Sequence, residues 1–204
     1  MKYFDIKQKL SGLKVFSIED LYAVDPAFRL ETLYEWEKKT WVTKLRSKKY
    51  IFADYKPTNY DIYLIANKLY DPSYVSLELA LNHYGVIPEA VMRVTSMTTN
   101  KTLSVETKIG IFDYKSLDTR LFFGYQMITN DGTTYKIASL EKTIVDYLYL
   151  NPQIAGVNDI QGLRFNEELL REKLNRPELE KIASIFGSEA LNTRINRLTD
   201  YLQL

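Results

Sequence analysis

Residues 17–53 constrain the fold more tightly than any other part of this chain. Residues 17–20 form a capping-box pattern with acidic side chains in a first helical turn, which predicts a helix that ends near Ala23. Asp25-Pro26 then supplies a cap residue and a first-turn proline, so we expect a second helix from Ala27 to Lys39. Two short helices separated by a tight turn are therefore predicted.

A basic hairpin is predicted directly after the second helix. Residues 41–53 contain two runs of alternating apolar side chains joined by a short polar turn. The charged residues from position 38 to position 49 are all basic: Lys38, Lys39, Lys44, Arg46, Lys48 and Lys49. This order is typical of a winged helix-turn-helix, in which one helix enters the major groove and the hairpin contacts the DNA backbone. With a first helix at residues 2–10, a DNA-binding domain is predicted over residues 1–56.

A larger domain is predicted over residues 60–204, after a polar, proline-containing linker at residues 54–59. One helical pattern covers residues 62–70. A second begins near Ser73 and ends just before Gly85. Strand patterns follow at residues 91–97, 102–107, 109–114, 122–128 and 133–138. The turn residues 130–132 predict that the last two strands form a hairpin.

Helices are predicted again towards the C-terminus. One carries Leu140, Ile144 and Leu148 on a single face, and later helices begin at Asn166, Pro177 and Ser188. The predicted fold class is α+β: an N-terminal winged helix-turn-helix followed by a larger mixed α/β domain with C-terminal helices.

Composition narrows the classes of function. The chain has no cysteine, which excludes disulfides, thiolate zinc sites and cysteine nucleophiles and is compatible with a reducing compartment. It has no apolar run of membrane-spanning length and its N-terminus does not resemble a signal peptide, so we expect a cytoplasmic protein without a membrane partner. The net charge is only +1, so it is the local basic run at residues 38–49, and not the overall charge, that indicates nucleic-acid binding.

Several short motifs occur in a characteristic order. The basic hairpin is followed by residues 74–76, 80–81 and 84–88, and then by the run Ala138-Ser139-Leu140-Glu141-Lys142-Thr143-Ile144-Val145-Asp146. In this order and spacing the chain resembles the AbiEi-type antitoxin and transcriptional regulator family of bacterial type IV toxin–antitoxin systems. The resemblance covers about residues 17–151.

The resemblance implies a repressor and antitoxin rather than an enzyme. In this family the winged helix-turn-helix binds inverted repeats in double-stranded DNA of its own promoter. The larger domain counteracts a partner toxin of the nucleotidyltransferase type, without a stable complex, in abortive infection and phage defence. We expect a homodimer or a cooperative pair on the DNA and no cofactor. Family members commonly carry glycine at two positions where this chain has Thr40 and Lys48-Lys49, which predicts a less tightly turned wing.

The candidate DNA contacts divide into two groups. Arg29 and Thr32 lie early in the predicted second helix, where side chains reach base edges, and arginine binds guanine in a bidentate manner. The remaining candidates contact phosphates and give affinity rather than sequence choice. They are Lys39, Lys44, Arg46, Ser47, Lys48 and Lys49.

The family-like helix supplies a second candidate site. Glu141, Lys142 and Asp146 predict either a surface for antitoxicity or a structural set of helix charges, and the structural interpretation is the favoured one. No metal site is predicted, because the chain has a single histidine, His83, and no histidine cluster for zinc.

Two alternative classes remain open. Glu106 and Lys108 match half of a metal-dependent nuclease motif, with Asp71, Glu78 and Glu89 as candidate further carboxylates. The apolar stripe Leu191, Ile195, Leu198 and Leu202 suits either a partner-helix seam in a protein-interaction module or packing within its own domain, and the latter is more common.

Overall fold

The computed structural model describes residues 2–204, which form a mixed α+β fold with ten α-helices and two β-sheets. The N-terminal unit, residues 2–56, contains one three-stranded sheet in the order β1-β3-β2, with both pairs antiparallel. Its elements are α1 (Tyr3–Leu10), β1 (Phe16–Ser17), α2 (Ile18–Val24), α3 (Leu30–Lys38), β2 (Val42–Arg46) and β3 (Lys49–Phe52).

The second unit, residues 57–204, contains a six-stranded sheet in the order β6-β7-β5-β4-β9-β8. Its strands are β4 (Ser73–Val75), β5 (Arg93–Thr98), β6 (Leu103–Thr107), β7 (Gly110–Ser116), β8 (Tyr125–Asn130) and β9 (Thr133–Ala138). Its helices are α4 (Asn59–Leu69), α5 (Leu77–His83), α6 (Leu140–Leu150), α7 (Val157–Gly162), α8 (Glu167–Lys173), α9 (Arg176–Ile185) and α10 (Glu189–Leu202). The β5–β7 and β4–β9 pairs are parallel and the other three are antiparallel, so the sheet is mixed.

Local sequence signals explain many of the helix ends. Ser17 caps α2, accepting the backbone N–H of Asp20 while the Asp20 carboxylate accepts the N–H of Ser17, as the capping-box pattern predicts. Ser139, Asn166 and Ser188 likewise cap α6, α8 and α10. The predicted hairpin of β8 and β9 is confirmed.

The prediction for the start of the second helix is wrong. The helix begins at Leu30 rather than Ala27, because residues 25–28 form a turn. The Asp25 carboxylate accepts the N–H of Ala27 at 3.1 Å, and the Asp25 carbonyl accepts the N–H of Phe28 at 2.9 Å. This turn places the Phe28 ring in the core of the N-terminal unit.

Two further expectations need correction, and one helix forms where none is predicted. Residues 73–75 form strand β4 instead of starting a helix, because their pairing with β5 and β9 overrides the local helical pattern. Helix α7 was not predicted at all. The expected linker at residues 54–59 overlaps the start of α4, which Thr58 caps, and Tyr55 packs against the cores of both units.

The hairpin of β2 and β3 turns tightly despite lacking glycine. Arg46 pairs with Lys49, so the turn contains only Ser47 and Lys48, and Lys48 takes a left-handed backbone conformation with φ 61°. Thr40 does the same at the end of α3 with φ 54°. The expectation of a loosely turned wing is therefore wrong: both residues adopt the conformation that glycine accepts at lower cost.

The two units are joined through a shared core. Leu45 and Ile51 of the hairpin are buried with Ile65 of α4 and Phe112 of β7. The Arg46 guanidinium donates to the carbonyl of Leu69 at 3.0 Å.

An acidic side chain at the start of α4 ties three segments together at this junction. The Asp61 carboxylate is 2% exposed and accepts the backbone N–H of Thr58 at 2.9 Å. It also accepts the hydroxyl of Thr133 at 2.9 Å, and the Lys14 ammonium of the N-terminal unit lies 3.5 Å away. Burial raises the pKa of Asp61, but the Tyr55 hydroxyl and the hydrogen bonds from Thr58 and Thr133 outweigh it and lower the pKa to about 2.

We predict that Asp61→Asn destabilises the protein in a pH-dependent way. The folded pKa of about 2 lies below the ordinary value, so the carboxylate stabilises the fold above about pH 4 and loses this effect as the pH falls towards 2. Urea unfolding should show a loss of about 2 kcal/mol at pH 7 that shrinks at low pH. Asp131→Asn, in an exposed turn, is the control; a loss for Asp61→Asn that is constant from pH 7 to pH 2 would contradict this account.

Candidate nucleic-acid interface

Two backbone hydrogen bonds at the end of α3 fix how the chain enters the β2–β3 hairpin. The N–H of Trp41 donates to the Trp36 carbonyl at 2.9 Å, and the N–H of Thr40 donates to the Glu37 carbonyl at 3.0 Å. These two bonds form a Schellman-type helix end, with Thr40 in the left-handed position. The chain therefore leaves α3 and enters β2 along a fixed path.

The predicted base-reading residues lie where α3 begins. Arg29 is the N-cap residue, and its side chain is 79% exposed with its Nε 3.7 Å from a Glu31 carboxylate oxygen. Thr32 lies in the first turn and is half-buried. Glu31 and Glu35 are also exposed, so α3 offers both hydrogen-bond donors and acceptors. Carboxylates on such a helix suit the amino group of cytosine and repel phosphates.

Four of the predicted phosphate contacts are exposed at the end of α3 and on the hairpin. Lys39 lies over the Trp41 ring, with its Nζ 5.0 Å from the ring centroid. Lys44 projects from β2, and Ser47 and Lys48 form the turn. Lys48 lies 3.5 Å from the Glu19 carboxylate, an exposed pair that gives little stability of its own.

The other two predicted phosphate contacts face the second unit. The Arg46 guanidinium stacks 4.5 Å from the centroid of the Tyr70 ring in addition to its bond to the Leu69 carbonyl, so its main role is to hold the hairpin in place. Lys49 is half-buried in a groove that also contains Lys68 and Lys136. Lys68 and Lys136 could not be predicted from the sequence as neighbours of Lys49. They lie on α4 and β9, and no local pattern indicates that these elements approach the hairpin.

The predicted antitoxicity surface on α6 is not a surface. Lys142 and Asp146 form an ion pair, and both side chains are fully buried. Asp146 accepts hydrogen bonds from the hydroxyls of Tyr74 at 3.0 Å and Ser76 at 2.9 Å. Burial raises the pKa of the Asp146 carboxyl and lowers the pKa of the Lys142 ammonium, and their mutual attraction opposes both shifts.

Aromatic rings and a glycine enclose the Lys142 side chain. Its Nζ lies 4.7 Å from the ring centroid of Phe186 and 5.3 Å from that of Phe123. A Cβ at Gly124, which has φ 73°, would lie 3.1 Å from the lysine stem. The half-buried Glu141 accepts the backbone N–H of Asn175 at 3.1 Å and so ties α6 to the start of α9. Lys142 and Asp146 therefore belong to the core rather than to a charged helix surface, and Glu141 joins α6 to α9.

The residues of the alternative interpretations are spread over the second unit. Glu106 is exposed on β6, an edge strand, and Lys108 lies in the turn after it. Within residues 2–204, no group of three or more histidine or acidic side chains is placed to hold a metal ion. The single histidine, His83, packs half-buried against the rings of Tyr63 and Tyr84, and burial lowers its pKa.

The C-terminal apolar stripe is covered. Leu191, Ile195, Leu198 and Leu202 of α10 are each at most 1% exposed and pack against α6 and α9 in one core. They form no open seam for a partner helix, so that alternative is wrong for this stripe.

None of the helices in residues 2–204 has the length and apolar character needed to cross a membrane.

Comparisons with known proteins do not assign this chain to a family. No protein-family model matches this chain, and no curated protein matches it.

We predict that removing one member of the buried ion pair is more damaging than replacing both. Lys142→Met leaves the Asp146 carboxylate uncompensated in the core and should lower the free energy of unfolding by about 3–5 kcal/mol. Adding Asp146→Asn removes that charge and keeps an acceptor for Tyr74 and Ser76, so the double variant should be the more stable of the two. Urea unfolding measures both variants; a double variant that is less stable than Lys142→Met would contradict the coupling of the two residues.

Proposed function

We propose that this chain is a cytoplasmic, sequence-specific DNA-binding repressor whose N-terminal unit acts as a winged helix-turn-helix. The observation that carries the proposal is the hairpin that follows α3, with exposed Lys44, Ser47 and Lys48 at and near a two-residue turn. In this arrangement α3 enters the major groove and the hairpin contacts the phosphate backbone. The order of elements in the N-terminal unit supports the assignment.

Within this proposal the hairpin and the helix have different tasks. Lys39, Lys44, Ser47 and Lys48 contact phosphates and provide affinity that falls with salt. Arg29 and Thr32 read base edges from the start of α3, with arginine best suited to guanine. Arg46 positions the hairpin through Leu69 and Tyr70, and it is not among the proposed DNA contacts.

The resemblance of the motifs to the AbiEi-type family extends the proposal to a biological role, that of an autoregulated antitoxin. The protein would repress its own operon by occluding inverted repeats as a homodimer or cooperative pair, and would counteract a nucleotidyltransferase-type toxin in phage defence. The burial of Lys142 and Asp146 means that an antitoxic contact would have to use other residues of the second unit. Among residues 2–204, no arrangement of side chains favours the nuclease alternative over this proposal.

We predict that Lys44→Ala combined with Lys48→Ala weakens binding to all DNA sequences and flattens its salt dependence. Each lost phosphate contact reduces the slope of log K against log salt by about 0.9, so the slope should fall by about 1.8. Fluorescence anisotropy of the full chain with a labelled duplex at several salt concentrations measures this.

The matched control is Lys173→Ala combined with Lys181→Ala. These two exposed lysines lie on α8 and α9, and their loss changes the net charge by the same amount. An equal change of slope in both double variants would show that the hairpin makes no specific phosphate contact.

A further inference from the structure

A second positively charged feature adjoins the hairpin. A groove of about 330 Å³ lies between β3, α4 and β9, and three lysines line it: Lys49, Lys68 and Lys136. Asp71 is the one acidic residue in its lining, 3.8 Å from the Lys136 ammonium. The groove therefore carries two unit charges in excess, which makes a concave surface of positive potential.

Specific contacts hold the walls of this groove in place. Asn67 of α4 accepts the backbone N–H of Lys136 at 2.7 Å and donates to the Lys136 carbonyl at 3.2 Å, which fixes β9 against α4. Arg46 fixes the hairpin against the end of α4 through the Leu69 carbonyl. Arg46 of β2 pairs with Lys49 of β3, so fixing Arg46 also fixes Lys49 at the edge of the groove.

The groove is also continuous with the proposed DNA contacts. Lys49 is the first residue of β3 and directly follows Lys48 at the hairpin turn. Lys68 is exposed and Lys136 is half-buried, so both ammonium groups belong to the open side of the groove rather than to the core. Lys49 therefore links the hairpin turn to the two lysines of the second unit that line the groove.

We propose that the groove binds backbone phosphates of the same DNA duplex that the hairpin contacts. This inference rests on the proposed function and enlarges it, because Lys68 and Lys136 belong to the second unit. The DNA-binding surface then spans both units, and their shared core keeps the two parts of that surface in register.

The test replaces Lys68 and Lys136 with alanine in the full chain and measures the affinity for a duplex at several salt concentrations. Two lost phosphate contacts should lower the slope of log K against log salt by about 1.8. Lys173→Ala with Lys181→Ala should leave the slope unchanged. Lys68→Arg with Lys136→Arg should keep the wild-type slope, because the charge is retained, and it guards against an effect of altered folding.

The outcomes separate this inference from the proposed function. If Lys44→Ala with Lys48→Ala lowers the slope while the groove variant behaves like the control, the groove inference is overturned and the proposed function stands. If the wild-type chain shows no salt-sensitive DNA binding, both are overturned. If the arginine variant loses as much slope as the alanine variant, the effect does not come from charge and the inference is also overturned.

Discussion

The docking of the β2–β3 hairpin onto the second unit fixes the position of the proposed DNA-binding surface. Leu45 and Ile51 bury one side of the hairpin in the core beneath α4. Arg46 adds a hydrogen bond to the Leu69 carbonyl and stacks on Tyr70. A hairpin held only by its own turn would lose more entropy on binding DNA, so this docking prepares the surface in advance.

The second unit has its own internal constraint, the ion pair of Lys142 and Asp146. Two charges removed from water cost free energy, and the hydroxyls of Tyr74 and Ser76 offset part of that cost. The pair links α6 to the strand β4 and to Ser76, the N-cap residue of α5. This ion pair and its two hydrogen bonds thus help to hold together the scaffold that carries the hairpin.

The sequence predicted local features well where a short pattern determines them. The cap at Ser17, the hairpin of β8 and β9 and the covered stripe of α10 follow from capping, turn chemistry and apolar periodicity. Tertiary contacts decided the rest: β4 forms through pairing with two other strands, and the role of Arg46 depends on α4. Lys68 and Lys136 could not be foreseen as neighbours of Lys49, since only the folded chain brings them together.

The most direct test of the account is binding of the full chain to the DNA just upstream of its own gene, compared with a shuffled duplex of equal length and composition. An electrophoretic mobility shift without divalent metal should show preference for the upstream DNA, and added salt should weaken binding to both duplexes. Equal binding to the two duplexes would contradict sequence-specific repression, and no binding to either would contradict the DNA-binding surface itself.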